Sequence, residues 1–203
     1  MLRKLLLVEV IVLCLCLGMS AQENRSEISV QGTGLFTKAT TGSDGTAYST
    51  TKTGGFLGTY RFHFNKRISA EAAYGFNINT EKFLFSSSQY KIQSGIHQAT
   101  GSLVINLPSR PTLRLSPYVL AGGGALVFAP TGNRVDTLSS AQTQAKAVFV
   151  YGAGVNYAIR KQLSLRVEYR GLLYTTPDFG YSALRTNSIT HTAQPSVGIT
   201  FRF

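Results

Sequence analysis

Strict alternation of apolar and polar residues recurs along this chain and limits it to β-structure more than any other feature does. The segment ISAEAAYGFNI, residues 68–78, places Ile68, Tyr74 and Phe76 on one face of a strand and Glu71 and Asn77 on the other. Side chains of a β-strand point to opposite faces with a period of two. The pattern therefore predicts strands with one apolar face, and the 3.6-residue period of amphipathic helices does not recur.

The same alternation predicts eight strands. Their predicted bounds are Ile28–Phe36, Gly54–Phe64, Ile68–Asn79, Tyr90–Leu107, Leu113–Phe128, Ala147–Ile159, Leu163–Tyr174 and Ile189–Phe203. Several of these segments exceed the usual strand length of soluble proteins. Their length suits tilted strands that cross a bilayer and extend beyond it.

The connections between the predicted strands alternate between short and long. Three are short, at residues 65–67, 108–112 and 160–162. Four are longer and polar, and they follow Phe36, Asn79, Phe128 and Tyr174. An up-and-down barrel has short turns at one end and long loops at the other, and an even strand number leaves both termini at the short-turn end. A β-sandwich with Greek-key crossovers does not produce this rhythm.

The apolar faces carry too many aromatic side chains to point into a narrow barrel. An eight-stranded barrel has an interior just wide enough for side chains. Twelve aromatic residues share the apolar faces: Phe56, Tyr60, Phe62, Phe64, Tyr74, Phe76, Phe149, Tyr151, Tyr157, Tyr169, Phe201 and Phe203. We expect these residues to face lipid, where aromatic side chains form interfacial girdles. The sequence thus predicts an all-β fold, a transmembrane eight-stranded antiparallel up-and-down β-barrel.

The N-terminal residues have the pattern of an export signal. Arg3 and Lys4 precede a short apolar run, and small residues follow around Ser20 and Ala21, so residues 1–21 are expected to be a cleaved signal peptide. Residues 22–203 then form one outer-membrane barrel domain. Both cysteines of the chain, at positions 14 and 16, lie in the leader, so the mature domain is expected to have no disulfide.

The charge balance indicates anionic partners. The formal net charge is +11. Such a surplus suits membrane surfaces and lipopolysaccharide. The basic residues near the long loops either hold lipopolysaccharide phosphates or are ordinary solvated loop charges. Nucleic acid is not an expected partner of an exported chain.

Two segments resemble a known family. The strand SPYVLAGGGALVF, residues 116–128, is similar to a Pro-Tyr-Val and glycine-rich strand of the OmpA/OmpX-like small outer-membrane β-barrels. The C-terminal pattern Ser196, Gly198, Phe201 and Phe203 resembles the assembly signal of that family. The resemblance implies that the outer-membrane assembly machinery reads this last strand. We expect the barrel to be a monomer in the outer membrane by default. The chain stops after the barrel, so the peptidoglycan-binding domain of OmpA is not expected.

Charged residues on the polar faces predict an ion-pair network in the lumen. Counting back from the short turns places Arg61 opposite Glu71. It places Glu168 opposite Gly154, free to reach basic residues on other strands, of which Arg202 is one candidate. Charges in a narrow interior need partners. The predicted network comprises Arg61, Glu71, Arg166, Glu168, Arg170 and Arg202. The alternation does not decide which face of the strand at 117–128 points inward.

Three function classes remain open at this point. The first is a structural or surface-interaction protein whose lumen is filled by Arg/Glu pairs, and the second is a narrow porin-like channel. The third is a lipid A-modifying enzyme with a histidine and a serine on the lipid side. Neither His97 nor His191 has a serine two residues further on, and Ser102 does not share the face of His97. We therefore expect no catalytic residue, and the scattered histidines predict no metal site and no cofactor.

Overall fold

The computed structural model describes residues 25–38, 40–41, 47–50, 53–85, 88–108, 114–130, 142–179 and 188–203. The predicted signal peptide, residues 1–21, lies outside these ranges. The strands are β1 Ser26–Thr37, β2 Thr40–Thr41, β3 Ala47–Thr50, β4 Thr53–His63, β5 Ile68–Phe85, β6 Ser88–Asn106, β7 Leu115–Pro130, β8 Gln144–Ala158, β9 Leu163–Thr175 and β10 Ile189–Arg202. No helix among the described residues is long and apolar enough to span a membrane.

Eight of these strands close into an antiparallel barrel. β1 and β4 to β10 each pair with their neighbours in the chain, and β10 returns to pair with β1. Closure matters because a sheet edge exposed to lipid would leave backbone groups without hydrogen bonds. At the short-turn end, Ser26 and Phe203 exchange both backbone hydrogen bonds, so the ends of the barrel strands meet there. The predicted eight-stranded up-and-down barrel is confirmed.

The register fixes the tilt of the strands. Following cross-strand partners once around the barrel from Glu27 returns to β1 at Thr37, ten residues further along. The intermediate partners are Arg61, Glu71, Ser102, Gly122, Val150, Leu172 and Thr192. With eight strands this stagger gives a tilt of about 40° to the barrel axis. The lumen is therefore narrow, and a side chain reaching inward meets strands on the far wall.

Alternation of burial along the strands agrees with the predicted facing. Odd-numbered residues of β1, β4 and β5 point inward, as Glu27, Arg61 and Glu71 do. Large apolar side chains on the opposite faces are about half exposed, as expected for a lipid-facing surface. They include Ile28, Val30, Phe56, Tyr60, Tyr74, Phe149, Val167, Ile199 and Phe201.

Two of the four segments that were predicted to be long polar loops contain strands, so these two loop predictions were wrong. The segment after Asn79 was expected to be a loop, but β5 continues to Phe85 and β6 begins at Ser88. The segment after Phe36 contains β2 and β3, and β3 pairs with β5 from Thr50 opposite Glu81 to Ala47 opposite Leu84. Backbone pairing with a neighbour stabilises these polar segments as strands, although they have no alternating apolar face for sequence patterns to reveal.

Candidate functional site in the barrel lumen

Charged side chains fill the lumen at the end where the short turns lie. We call Glu27, Arg61, Glu71, Arg166, Glu168, Arg170 and Arg202 the ionic layer. Their strands place them near the turns at 64–67 and 159–162, at the end of the barrel where the start of β1 pairs with the end of the chain. Six of the seven are buried, and Arg202 at the mouth is partly exposed. The structure thus brings together all six predicted network residues and adds Glu27.

Glu71 lies at the centre of the ionic layer. Its Oε2 accepts hydrogen bonds from Nε and Nη2 of Arg61, at 2.9 and 2.7 Å, from the directly opposite position on β4. Its Oε1 accepts a 2.7 Å hydrogen bond from Nη2 of Arg170 on β9, across the lumen. Bonds in which both partners are charged are among the strongest in proteins. Glu71 therefore ties opposite walls of the barrel together.

Arg166 contacts side chains on four strands other than its own, β1, β4, β5 and β8. Its Nε donates to Oδ1 of Asn156, the directly opposite residue on β8, at 2.8 Å. Its Nη1 lies 3.3 Å from the hydroxyl oxygens of Ser29 and Thr59, and its Nη2 contacts the carboxylate of Glu27. A guanidinium with several acceptors in fixed directions is pre-organised for such a buried position.

Glu168 reaches a basic residue on another strand, but this residue is Arg61 on β4, whose Nη2 lies 3.8 Å from Oε2 of Glu168, and not Arg202. Oε1 of Glu168 accepts a 2.6 Å hydrogen bond from Nε of Arg170 on the same strand, and its Oε2 accepts one from the hydroxyl of Tyr118 at 2.6 Å. Arg202 instead donates to Oε2 of Glu27 at 3.0 Å. The stagger of the barrel explains this, because Arg202 lies at the mouth directly opposite Glu27 while Glu168 lies deeper.

Sequence reasoning missed two members of the site. Glu27 pairs with Arg166 and Arg202 and lies 3.5 Å from Arg61, but the predicted first strand began one residue after it. Its odd-numbered position, in phase with Ser29 and Gln31, is the signal that would have found it. Tyr118 was missed because the alternation left the facing of β7 open. Its ring lies under the guanidinium of Arg61, with 4.2 Å from Cζ to the ring centroid.

Gly154 makes room for Tyr118. A Cβ atom on Gly154 would lie 2.5 Å from the Tyr118 ring, whereas a Cβ atom on Gly101 would meet nothing within 4 Å. Gly154→Ala should therefore displace Tyr118 and destabilise the barrel by about 1–3 kcal/mol, the usual cost of overpacking. Urea unfolding in lipid vesicles measures this cost, with Gly101→Ala as the matched control on the outer face. Equal unfolding midpoints for the two variants would contradict the assigned role.

The other half of the lumen is closed by apolar side chains, which the expected Arg/Glu filling did not include. We call Leu126, Phe128, Val148, Val150, Leu172, Tyr174 and Phe179 the apolar plug; all are at most 5% exposed. Between the plug and the ionic layer, Nε2 of Gln194 on β10 donates across the lumen to Oε1 of Gln98 on β6 at 3.0 Å. These strands lie on opposite walls, so side chains bridge the lumen at this level as well.

Phe179 enters the plug from beyond the end of β9. Its ring packs edge-on against Phe128 with 6.3 Å between centroids, and its backbone has a φ of 50°. A bulky residue rarely adopts a positive φ unless its surroundings hold it there. Gln144 provides that restraint, because its Oε1 accepts from the backbone N–H groups of Asp178 and Phe179 and its Nε2 donates to Asp178.

His63 links the ionic layer to the short-turn end. Nδ2 of Asn106 donates to Oγ of Ser69 at 3.1 Å, that Oγ lies 2.7 Å from Nδ1 of His63, and Nε2 of His63 lies 3.4 Å from Oε2 of Glu27. A serine, a histidine and a carboxylate are thus linked in series, as in the catalytic triad of hydrolases. Ser69 is fully buried, however, and Glu27 is already paired with arginines, so the geometry favours a structural relay. The described residues contain no group of three or more histidine, cysteine, aspartate or glutamate side chains that could hold a metal ion.

The two histidines considered for lipid A chemistry lie on the lipid-facing side. Nδ1 of His97 lies 2.8 Å from the hydroxyl of Tyr74, and Nε2 of His191 lies 3.0 Å from that of Tyr151. Ser102 faces the lumen and is 9% exposed, on the opposite face of the wall from His97. The structure therefore does not bring this serine and histidine together.

The residues of the predicted assembly signal lie on β10 or directly after it. Ser196 faces the lumen and donates to Oε1 of Gln31 at 2.9 Å. Gly198 faces Gln31 so closely that a Cβ atom would lie 2.1 Å from the carbonyl oxygen of Val30. Phe201 and Phe203 stack on the outer face with 6.1 Å between ring centroids. These positions show the finished barrel, and the assembly role of the four residues remains a prediction.

Comparison with known proteins places this barrel in a family. Residues 10–203 match the family model described as outer membrane protein beta-barrel domain. Comparison with curated proteins found no match. Among solved structures, the outer membrane protein OprG from Pseudomonas aeruginosa has 12% sequence identity and a TM-score of 0.63, with 89% of this chain and 96% of that chain covered.

Two further structures show the same fold. Neisserial surface protein A has 16% identity and a TM-score of 0.54, covering 87% of this chain and 97% of its own. The attachment invasion locus protein Ail of Yersinia pestis has 19% identity and a TM-score of 0.51, covering 90% and 100%. This protein therefore belongs to the outer membrane protein beta-barrel domain family and is an integral β-barrel of the bacterial outer membrane.

Proposed function

We propose that this protein is a closed, non-conducting barrel that works through what it presents outside the membrane. The observation that carries the proposal is the complete burial of Arg61, Arg166 and Arg170, each with no solvent-exposed surface. A guanidinium that lined a water-filled pore would remain hydrated. Here the lumen side chains bind one another across the barrel, and the Arg170–Glu71 and Gln194–Gln98 hydrogen bonds each join opposite walls.

The apolar plug supports the same conclusion from the other end of the lumen. An ion that passed the ionic layer would meet Phe128, Val150 and Leu172, which are 2% exposed or less. Transfer of a hydrated ion through such a constriction without compensating polar groups is very unfavourable. Two seals of different chemistry in series are expected in a structural barrel rather than in a channel.

The surface-interaction role rests on the length of β5 and β6. The apolar outer face of β5 ends at Ile78, but the strand continues to Phe85, about 20 Å further along its direction. β2 and β3 add to this extension through pairing with β5, so the sheet continues beyond the closed barrel with β2 at its edge. Among the described strands β2 pairs on one side only, and a sheet edge of this kind is a ready surface for a partner.

Single-channel recording in a planar bilayer tests the proposal against the porin-like alternative. The pure folded protein is expected to give no conductance steps. Phe179→Ala is also expected to give none, because the ionic layer still closes the lumen below it. Reproducible steps from the wild-type protein, abolished by boiling, would establish the channel instead.

The lipid A-modifying alternative receives little support from the geometry. His97 and His191 bond to tyrosines, and Ser102 lies inside the barrel. Mass spectrometry of lipid A from cells with and without the protein addresses this alternative directly. An unchanged lipid A mass is expected, and a new species that disappears with His97→Ala or His191→Ala would overturn the non-enzymatic proposal.

A further inference from the structure

A cavity opens at the short-turn end of the barrel, below the ionic layer. Its volume is about 530 Å³. The lining residues are Arg25, His63, Phe64, Asn65, Lys66, Asn106, Leu107, Ser116, Asn156 and Arg202. The start of β1, the end of β10 and the turn at residues 64–67 all lie at this end of the barrel. In a barrel of this topology that end faces the periplasm, so the cavity opens to the periplasm.

The charge of the cavity is one-sided. Arg25, Lys66 and Arg202 are cationic, and none of the lining residues that the structure describes is acidic. Glu27, which pairs with the lining residue Arg202, is 1% exposed and also pairs with Arg166. Apart from Arg202, which is already counted among the lining cations, the ionic layer behind the cavity contains three arginines and three glutamates, so it does not offset the positive charge of the lining. Low-dielectric walls concentrate such a field in the opening.

The polar lining groups are suited to donating hydrogen bonds. Oδ1 of Asn156 is taken by Nε of Arg166, and Oδ1 of Asn65 accepts from the backbone N–H groups of Arg67 and Ile68. Contacts from these two amides to a molecule in the cavity would therefore be made through their NH₂ groups. Cations together with amide donors match an oxyanion such as phosphate or carboxylate, and they disfavour a cation or an uncharged apolar molecule.

From this arrangement we propose that the periplasmic cavity binds an oxyanion, a phosphate or a phosphate ester, through Arg25, Lys66 and Arg202. The volume exceeds that of phosphate alone, so the organic part of an ester fits beside Phe64 and Leu107 at the edge of the cavity. The anion has two possible sources with the same chemistry, a periplasmic solute or the headgroup of an inner-leaflet phospholipid. The site is independent of whether the lumen conducts.

Amide chemical shifts of the folded protein test the proposal. Inorganic phosphate is titrated into protein in maltoside micelles, whose detergent carries no phosphate, and the resonances of Asn65, Lys66 and Asn106 are followed. Saturable shifts are expected. Lys66→Gln and Arg25→Gln should each weaken binding about tenfold, the effect of losing one charge-assisted hydrogen bond.

Lys161→Gln is the matched control. Lys161 is an exposed residue in the β8–β9 turn at the same end of the barrel and is not among the lining residues, so its removal changes the net charge equally. It should leave phosphate affinity within about twofold, since screened surface charges act weakly at a distance. Shifts that do not saturate, or an equal loss of affinity in Lys161→Gln and Lys66→Gln, would overturn the proposal.

Nanodiscs distinguish the two sources of the anion. In phosphatidylcholine discs, inorganic phosphate should shift the same resonances if the ligand is a free solute. If a lipid headgroup occupies the cavity, adding phosphatidylglycerol to the discs should produce the shifts and reduce the response to inorganic phosphate. Either result supports an oxyanion site, and shifts in neither arm would reject it.

Discussion

Replacing Glu71 with alanine is expected to destabilise the folded barrel by about 3–5 kcal/mol, the cost of breaking a buried ion pair by removing one partner. Glu71 accepts hydrogen bonds from Arg61 and Arg170, and Nη1 of Arg166 lies 3.5 Å from its Oε2. Its removal leaves these guanidiniums crowded in a narrow interior with fewer acceptors. Urea unfolding of the barrel in lipid vesicles, followed by heat-modifiable gel migration, measures the change in the free energy of unfolding.

A double-mutant cycle shows whether that cost comes from the ionic layer. Arg61→Met should cost several kilocalories per mole in the wild type but much less in the Glu71→Ala background, because its main partner is already gone. Ser102→Ala is the matched control, since Ser102 lies directly opposite Glu71 on β6 and is also buried. Additive effects of Arg61→Met and Glu71→Ala would show that the pair contributes nothing specific.

Deleting Phe203 is expected to reduce insertion into the outer membrane severalfold while changing the stability of the finished barrel little. In the folded protein Phe203 contributes one pair of backbone hydrogen bonds to Ser26 and one ring contact to Phe201. These contacts are few compared with the full β1–β10 ladder. If the assembly machinery reads the last strand, the deletion weakens recognition of the chain by that machinery and so reduces insertion. The yield of folded barrel in outer-membrane fractions measures insertion.

Phe203→Ala and Phe149→Ala form a matched pair for this prediction. Both remove an aromatic ring from the outer face, but Phe149 lies in β8, where it is 52% exposed. Only Phe203→Ala should reduce membrane yield. Equal yields for both variants and the wild type, or equal losses for both, would count against an assembly role for the C-terminal residue.

The barrel was predictable from the sequence because its two faces differ in chemistry along most strands. In β5 every second residue from Ile68 to Ile78 is apolar or aromatic, and Glu71 and Asn77 lie in the opposite phase. The short turn between β4 and β5 then fixes the register of these strands, so the sequence alone places Arg61 opposite Glu71, as the structure shows. Periodicity and short turns are local properties that a single sequence shows.

The remaining parts of the site depend on contacts that are not local. In β7 both faces are apolar, with Val119 toward lipid and Leu120 toward the lumen, so alternation could not assign Tyr118 to the interior. The Arg202–Glu27 pair depends on the stagger of the barrel, which sets the position of each strand along the barrel axis relative to the other strands. Phe179 stands in a polar stretch, and only its packing against Phe128 shows that it closes the outer half of the lumen.

The central claim, that the lumen is closed to water, is tested most directly by single cysteines. Cys14 and Cys16 are the only cysteines of the chain, so serine at both positions gives a thiol-free background. Ser102→Cys and Ser196→Cys then report on the buried lumen, and Ser116→Cys reports on the exposed periplasmic cavity. Reaction with a charged methanethiosulfonate reagent should be fast at position 116 and very slow at 102 and 196. Labelling of the lumen cysteines as fast as at position 116 would contradict a closed barrel.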